Sequence, residues 1–172
     1  NTSSIKFAKE KYSIDLHYGN VEKTKKVFFQ KFDVISIFLL FEHLRNPRKF
    51  FNNIADGCKS GSMIITEVNN ANSLSTLVQK NFPEMVDRHL LPCSHTNMFN
   101  RKSINYFFDS FGFELHAEWW FGQDFYELIS TLGSEDYLKP HVKSLIKESN
   151  KFQELIDKQK FSDRVIYIFK KK

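Results

Sequence analysis

The chain has 172 residues, 41% hydrophobic and 26% charged, with a formal net charge of +5. A single domain over 1–172 with a sizeable core is expected, and no apolar run approaches the about 18 residues that a membrane-spanning helix needs. The basic excess, 25 Lys and Arg against 20 Asp and Glu, lies partly in the run Lys170-Lys171-Lys172 and accompanies no nucleic-acid motif, so nucleic acid is not an expected partner. Two cysteines, Cys58 and Cys93, are too few for a disulfide framework. Together with the absence of a signal-peptide pattern at the first residues, they lead us to expect a cytoplasmic protein. Nineteen phenylalanines are read as core filling.

In chain order, Asn1-Thr2-Ser3-Ser4 resembles a helix cap, and Ile5, Ala8 and Tyr12 share one helical face. Ile14 to Tyr18 alternates like a strand and ends in the turn Gly19-Asn20; Val21 to Gln30 reads as a loop or short helix. Asp33 to Phe41 is nearly continuous apolar sequence, which suits a parallel strand covered on both faces. Asn46 and Pro47 start a helix whose core face is Phe50, Phe51, Ile54 and Ala55. Ser62 to Val68 is the next strand, closed by Asn69-Asn70; Asn72 to Phe82 is predicted helical, and Pro83 to Met98 is a long excursion without period. Asn100 caps a helix with Ile104, Phe107, Phe108 and Phe111 on one side, followed by Gly112 and a strand from Phe113 to Trp120. Asp124 is expected to cap a helix ended by Gly133. A longer helical region runs from Pro140 to Gln159 with a break near Ser149-Asn150, and Arg164 to Phe169 is the last strand.

Three blocks, in order, carry a resemblance. They are Phe32-Asp33-Val34-Ile35-Ser36 with Glu42-His43-Leu44 and Asn46-Pro47; Ile54 through Lys59-Ser60-Gly61-Ser62-Met63-Ile64-Ile65; and Ser94-His95, Phe99, Ser103-Ile104 and Phe111-Gly112-Phe113-Glu114. Over roughly residues 1–120 the chain resembles the class I S-adenosylmethionine-dependent methyltransferases. The resemblance implies a Rossmann-like α/β fold: a mostly parallel sheet with an antiparallel C-terminal strand and helices on both faces. It begins after the family's glycine-rich loop, so the first two strands of the usual fold are absent. In the family order 3-2-1-4-5-7-6 this leaves the Ile14–Tyr18 strand without a neighbour. An unpaired strand is unstable. A fragment of a longer chain is therefore the favoured reading, with re-pairing, or another chain completing the sheet, as the alternatives.

In open α/β sheets ligands bind beyond the carboxyl ends of the strands. By resemblance, Gly19, Asn20 and Val21 lie beside the adenine, with Asn20 where the family usually has Asp. Ser36, Ile37, Phe38 and His43 wall the rest of the cofactor site, and Leu39 replaces a residue that is often polar. His95, in the excursion after the fifth family strand, is the candidate general base, since imidazole titrates near neutrality; a surface or capping role is the plain alternative. Glu42-His43 could equally serve packing at a strand end. The spacing His89-x3-Cys93-x-His95 is not a standard zinc pattern, and no metal site is assigned. Trp119, Trp120 and Phe121 read as core, or as the wall of an acceptor pocket. The expected activity is S-adenosylmethionine-dependent methyl transfer to a small-molecule, metabolite or sugar-like acceptor. The alternative is a non-catalytic binding or assembly module of the same fold.

Overall fold

Residues 14–18 form no strand in the computed structural model, which describes residues 1–86, 89–133 and 136–172, the side chain of residue 137 excepted. They have no pairing partner among the described residues, and Ile14, Leu16 and Tyr18 stay exposed. Before them, α1 (Thr2–Tyr12) starts where expected, with the Asn1 side chain accepting from the Ser3 N–H at 3.0 Å. It ends at Ser13, whose φ is 56°. None of its residues is buried.

The sheet has four strands: β1 (Val34–Phe38), β2 (Met63–Asn69), β3 (Phe113–Phe121) and β4 (Arg164–Lys171), in the spatial order β1-β2-β4-β3. β1 and β2 are parallel, and β4 runs antiparallel to both β2 and β3. Three strands therefore share a direction and the last opposes them, as the sequence predicted. His116 is the extra residue where the β3 register slips between Leu115 and Ala117, a β-bulge.

Register sorts the side chains onto two faces, because paired residues point the same way. One face carries the rows Ile35-Ile64-Phe169-Leu115 and Ile37-Thr66-Tyr167-Glu118. Against it pack α3 (Pro47–Gly57) and α5 (Arg101–Asp109), whose buried residues join one core cluster with Phe41, Phe113, Tyr167 and Phe169. Both helices start as their sequences dictate. Asn46 accepts from Lys49 N–H at 2.9 Å ahead of Pro47, and Asn100 and Ser103 form a reciprocal capping box. The short α2 (Lys26–Phe29) lies under the C-terminal end of α3. A Cβ on Gly57 there would collide with the Lys26 carbonyl and the Phe29 side chain. The other face carries the row Phe38-Glu67-Ile166-Trp119, and Phe38 and Trp119 remain 53% and 64% exposed.

Glu118 sits on the core side of β3. Burial pushes its carboxyl pKa up, but hydrogen bonds from Arg101, at 2.8 Å, and Lys160 outweigh burial and leave it below the ordinary value. A depressed folded-state pKa contributes stability above the unfolded carboxylate pKa, and that contribution is lost as pH falls through the folded value. Glu118→Gln is therefore expected to cost about 1–2 kcal/mol at neutral pH. The difference should shrink progressively in acid, as pH falls below the ordinary carboxylate value of about 4 and through the lower folded one. Urea unfolding at the two pH values checks this; an equal loss at both would assign the effect to shape rather than charge.

The remaining helices gather at one end. They are α4 (Leu74–Asn81), α6 (Asp124–Leu132), α7 (Lys139–Lys147) and α8 (Ser149–Lys158), and the predicted break falls between the last two. Asp124 does not cap its own helix. It is the first residue of α6, and its buried carboxylate accepts instead from the N–H and hydroxyl of Ser75 in α4. Among the described residues no helix is long and apolar enough to cross a membrane.

Candidate functional site

β1 leaves the sheet through Leu39, a non-glycine residue at φ 46° whose N–H still bonds Glu67 O at 3.0 Å. Left-handed backbone is uncommon for leucine. Here it turns the chain sharply into the 3-10 turn Phe41–His43 at the carboxyl end of the strand. Phe41, with no exposed surface, drops into the aromatic core and anchors the turn. Glu42 is also buried. One of its carboxylate oxygens accepts from Asn69 Nδ2 at 3.3 Å at the end of β2, while Oε2 has no hydrogen-bond partner among the described residues. Burial raises its pKa, partly offset by a backbone hydrogen bond and by the nearby His43 and His95.

The long excursion returns to this turn. Residues 87–88 of it lie outside the described residues. Glu42 O accepts from the N–H groups of Thr96, at 2.7 Å, and Asn97, at 3.2 Å. Asn97 Nδ2 reaches Leu44 O at 2.5 Å, and the Thr96 hydroxyl reaches Leu44 O at 3.0 Å. These bonds staple the two segments side by side and bring His43 and His95 together, with ring centroids 5.2 Å apart.

Both imidazoles are oriented by backbone. His43 Nδ1 lies 2.9 Å from Ser94 O, and His95 Nδ1 lies 2.8 Å from His89 O. A carbonyl only accepts, so each Nδ1 carries the hydrogen and, in the neutral ring, each Nε2 presents a lone pair. His95 is half-buried and His43 exposed. The pair can thus accept protons or ligate an ion at the rim where β1 and β2 end.

The other predicted site residues are distributed as follows. Ser36 and Phe38 point to the more open face of the sheet, and Ile37 is buried in the core with its carbonyl accepting from the Thr66 hydroxyl at 2.9 Å. Asn20 caps a 3-10 turn, Val21–Lys23, by accepting from Glu22 N–H at 2.8 Å. That turn leans on α3 through Glu22–Lys49 at 2.9 Å and Asn53 Nδ2–Glu22 O at 2.8 Å. The corner therefore leans on the helix that follows the His43 turn in the chain, and no hydrogen bond joins Gly19–Val21 to His43 among the described residues. Gly19, Tyr18, His17 and Asn20 line a cleft of about 600 Å³ shared with α1. A Cβ at Gly19 would meet nothing within 4 Å. Trp120 is buried while Trp119 faces outward, the alternation of a strand.

His89, Cys93 and His95 do not assemble into one ligand set. His89 Nε2 pairs with Glu127 at 2.9 Å, and those two with Asp163 bring ligand atoms within 4.8 Å of one another. Cys93 is exposed. The residues missed in the sequence are Asn69, Thr96 and Asn97. Their polarity carried no periodic signal, and their role is to clamp the two segments.

Residues 6–118, more than half of the chain, match the profile of a family described as a methyltransferase domain. No curated protein sequence matches. Among solved structures, a SAM-dependent methyltransferase from Archaeoglobus fulgidus superposes with TM-score 0.57 at 16% identity, covering 99% of this chain and 73% of that one. A SAM-dependent methyltransferase from Thermotoga maritima gives 0.60 at 13% identity, over 95% of this chain and 66% of that one. Coclaurine N-methyltransferase, bound to N-methylheliamine and SAH, gives 0.51 at 15% identity, over 99% of this chain and 58% of that one. The order of blocks in the sequence, the β1-β2-β4-β3 sheet and this match agree: the chain belongs to the methyltransferase domain family and carries the fold of the S-adenosylmethionine-dependent class I enzymes.

Proposed function

We propose that this chain acts in S-adenosylmethionine-dependent methyl transfer to a small-molecule acceptor, with His95 as the general base. The observation that carries the reading is the His95 ring. Its Nδ1–H is held by the His89 carbonyl at 2.8 Å, which leaves Nε2 of the neutral ring as a proton acceptor. A base placed there takes the proton from an acceptor hydroxyl or amine as the methyl group arrives, and positioning in line with the sulfonium supplies the rest of the rate.

The residues of the first corner fit the adenosyl part of the cofactor in shape and donor chemistry. The cleft beside Gly19 falls in the about 300–1,000 Å³ range of small-molecule sites. Asn20 Oδ1 keeps one lone pair after capping its own turn. Gly19, Asn20 and Val21 would hold the adenine, and Ser36, Ile37, Phe38 and His43 would wall the remainder. The cofactor, when bound, supplies the electrophilic methyl group. The small-molecule class of acceptor is favoured by a structural neighbour, coclaurine N-methyltransferase, solved bound to N-methylheliamine.

A second reading is a non-catalytic binding or assembly module. It is favoured by the exposed Val34 and Phe38 on β1, a strand with a neighbour on one side only among the described residues. In either reading a further segment or another chain would complete the sheet along that edge. The discriminating experiment is titration of the isotope-labelled chain with S-adenosylhomocysteine. We expect weak, millimolar binding with amide shifts at Gly19–Val21, Ser36–Phe38 and His43. Unchanged spectra at saturating millimolar ligand would remove the cofactor reading and leave the module.

A further inference from the structure

We propose that His43 and His95 form a two-imidazole site for a divalent transition-metal ion of the zinc, nickel or copper type. Three observations converge on it. First, each ring donates its Nδ1–H to a backbone carbonyl, Ser94 O or His89 O, which is the outer-shell arrangement that fixes a metal-ligating histidine and leaves Nε2 as the ligand. Second, the spacing is that of two rings on one ion. With metal–nitrogen bonds of about 2.0–2.1 Å and a tetrahedral angle, two imidazole centroids stand about 5.3 Å apart. The structure places them 5.2 Å apart with ring planes at 51°. Third, the buried Glu42, adjacent in sequence to His43, carries a carboxylate oxygen, Oε2, with no hydrogen-bond partner among the described residues.

The neighbouring group His89–Glu127–Asp163 is the competing candidate, but its atoms are engaged. His89 Nε2 is bonded to Glu127, and Asp163 Oδ1 accepts from Gln123 N–H at 3.1 Å. Neither His43 Nε2 nor His95 Nε2 makes a hydrogen bond to a described residue. With two protein ligands the ion keeps open positions for water or for an oxygen or nitrogen of a ligand. The site stands independently of the methyl-transfer reading. If His95 also serves as a base, ion and proton use the same lone pair, and a loaded site withdraws the base.

The test uses the intact chain. Zn²⁺ alone is titrated while the histidine side-chain nitrogens are followed by long-range proton–nitrogen correlation spectra. The expected result is one ion per chain with Nε2 shifts at His43 and His95. His43→Gln and His95→Gln, each verified as folded by circular dichroism, should each weaken the binding by about tenfold or more. Shifts confined to His17, His89, His116 or His141 would overturn the proposal, as would undisturbed histidine resonances at millimolar Zn²⁺. Because the wild-type spectra alone decide the outcome, a variant that fails to fold does not protect the idea. S-adenosylhomocysteine is absent throughout, so a failure here leaves the methyl-transfer reading standing.

Discussion

Phe51→Ala should destabilise the chain by about 3–5 kcal/mol, the range for removing a buried aromatic ring. Phe51 has no exposed surface, and its ring meets those of Phe41, Phe107, Phe108, Phe111 and Phe113 at centroid distances of 5.0–6.0 Å. Most of these contacts are edge-on or tilted, the geometry that aromatic quadrupoles favour. The six rings come from α3, α5 and the turn that follows it, the start of β3 and the turn after β1. Their neighbours are fixed by one another, so the hole left by truncation cannot close by moving a single side chain. Phe51→Leu, which retains most of the volume, should cost much less. Chemical denaturation followed by circular dichroism gives both numbers, and an alanine cost below about 1 kcal/mol would show that the aromatic cluster is loosely packed.

Asp124→Ala is expected to have a comparable effect, about 3–5 kcal/mol, by a different route. Its carboxylate is fully buried and accepts four hydrogen bonds: from Ser75 N–H at 3.0 Å, the Ser75 hydroxyl at 2.5 Å, Asp163 N–H at 2.8 Å and Gln153 Nε2 at 3.2 Å. The substitution leaves donors from α4, α8 and the entrance to β4 without an acceptor in a place that water does not reach. Because the carboxylate ties these elements, local opening should spread through the helical end of the molecule. Hydrogen exchange in Asp124→Ala should quicken across α4, α6 and α8 while β1 and β2 keep their protection. Uniform acceleration, or none, would contradict the picture of Asp124 as the tie between those helices.

Much of this architecture was legible because it is written locally. Asn46-Pro47 and Asn100 are caps followed at once by an apolar face of helical period, and both helices begin where those residues stand. Two misreadings have a common cause. The apolar run Asp33–Phe41 reads as one strand, yet the strand stops at Phe38 and Phe41 is apolar because it anchors a turn beneath α3 and α5. Residues 14–18 alternate as a strand should, but alternation cannot supply the neighbour that a strand requires. In both places the pattern reports burial or partnership, and only the tertiary arrangement says which. Asp124 shows the same limit. Its position before a helix suggested a cap, whereas its acceptors serve a helix 49 residues earlier in the chain. The meeting of His43 with His95 was beyond sequence reading, since it depends on backbone bonds between Glu42 and the Thr96-Asn97 pair that no periodicity encodes.

The order of the strands constrains how the molecule can be assembled. β4 is the last of the four along the chain yet sits second from one side, between β2 and β3. Until residues 164–171 arrive, the earlier strands have no common ladder, and Ile64, Val68, Phe113 and Trp120 have no Phe169, Tyr167 or Val165 to close over. During vectorial synthesis the nascent polypeptide must wait with its two halves apart. The keystone is set only when residues 164–171 clear the ribosome, so a short deletion within them separates the halves of the sheet instead of trimming an edge.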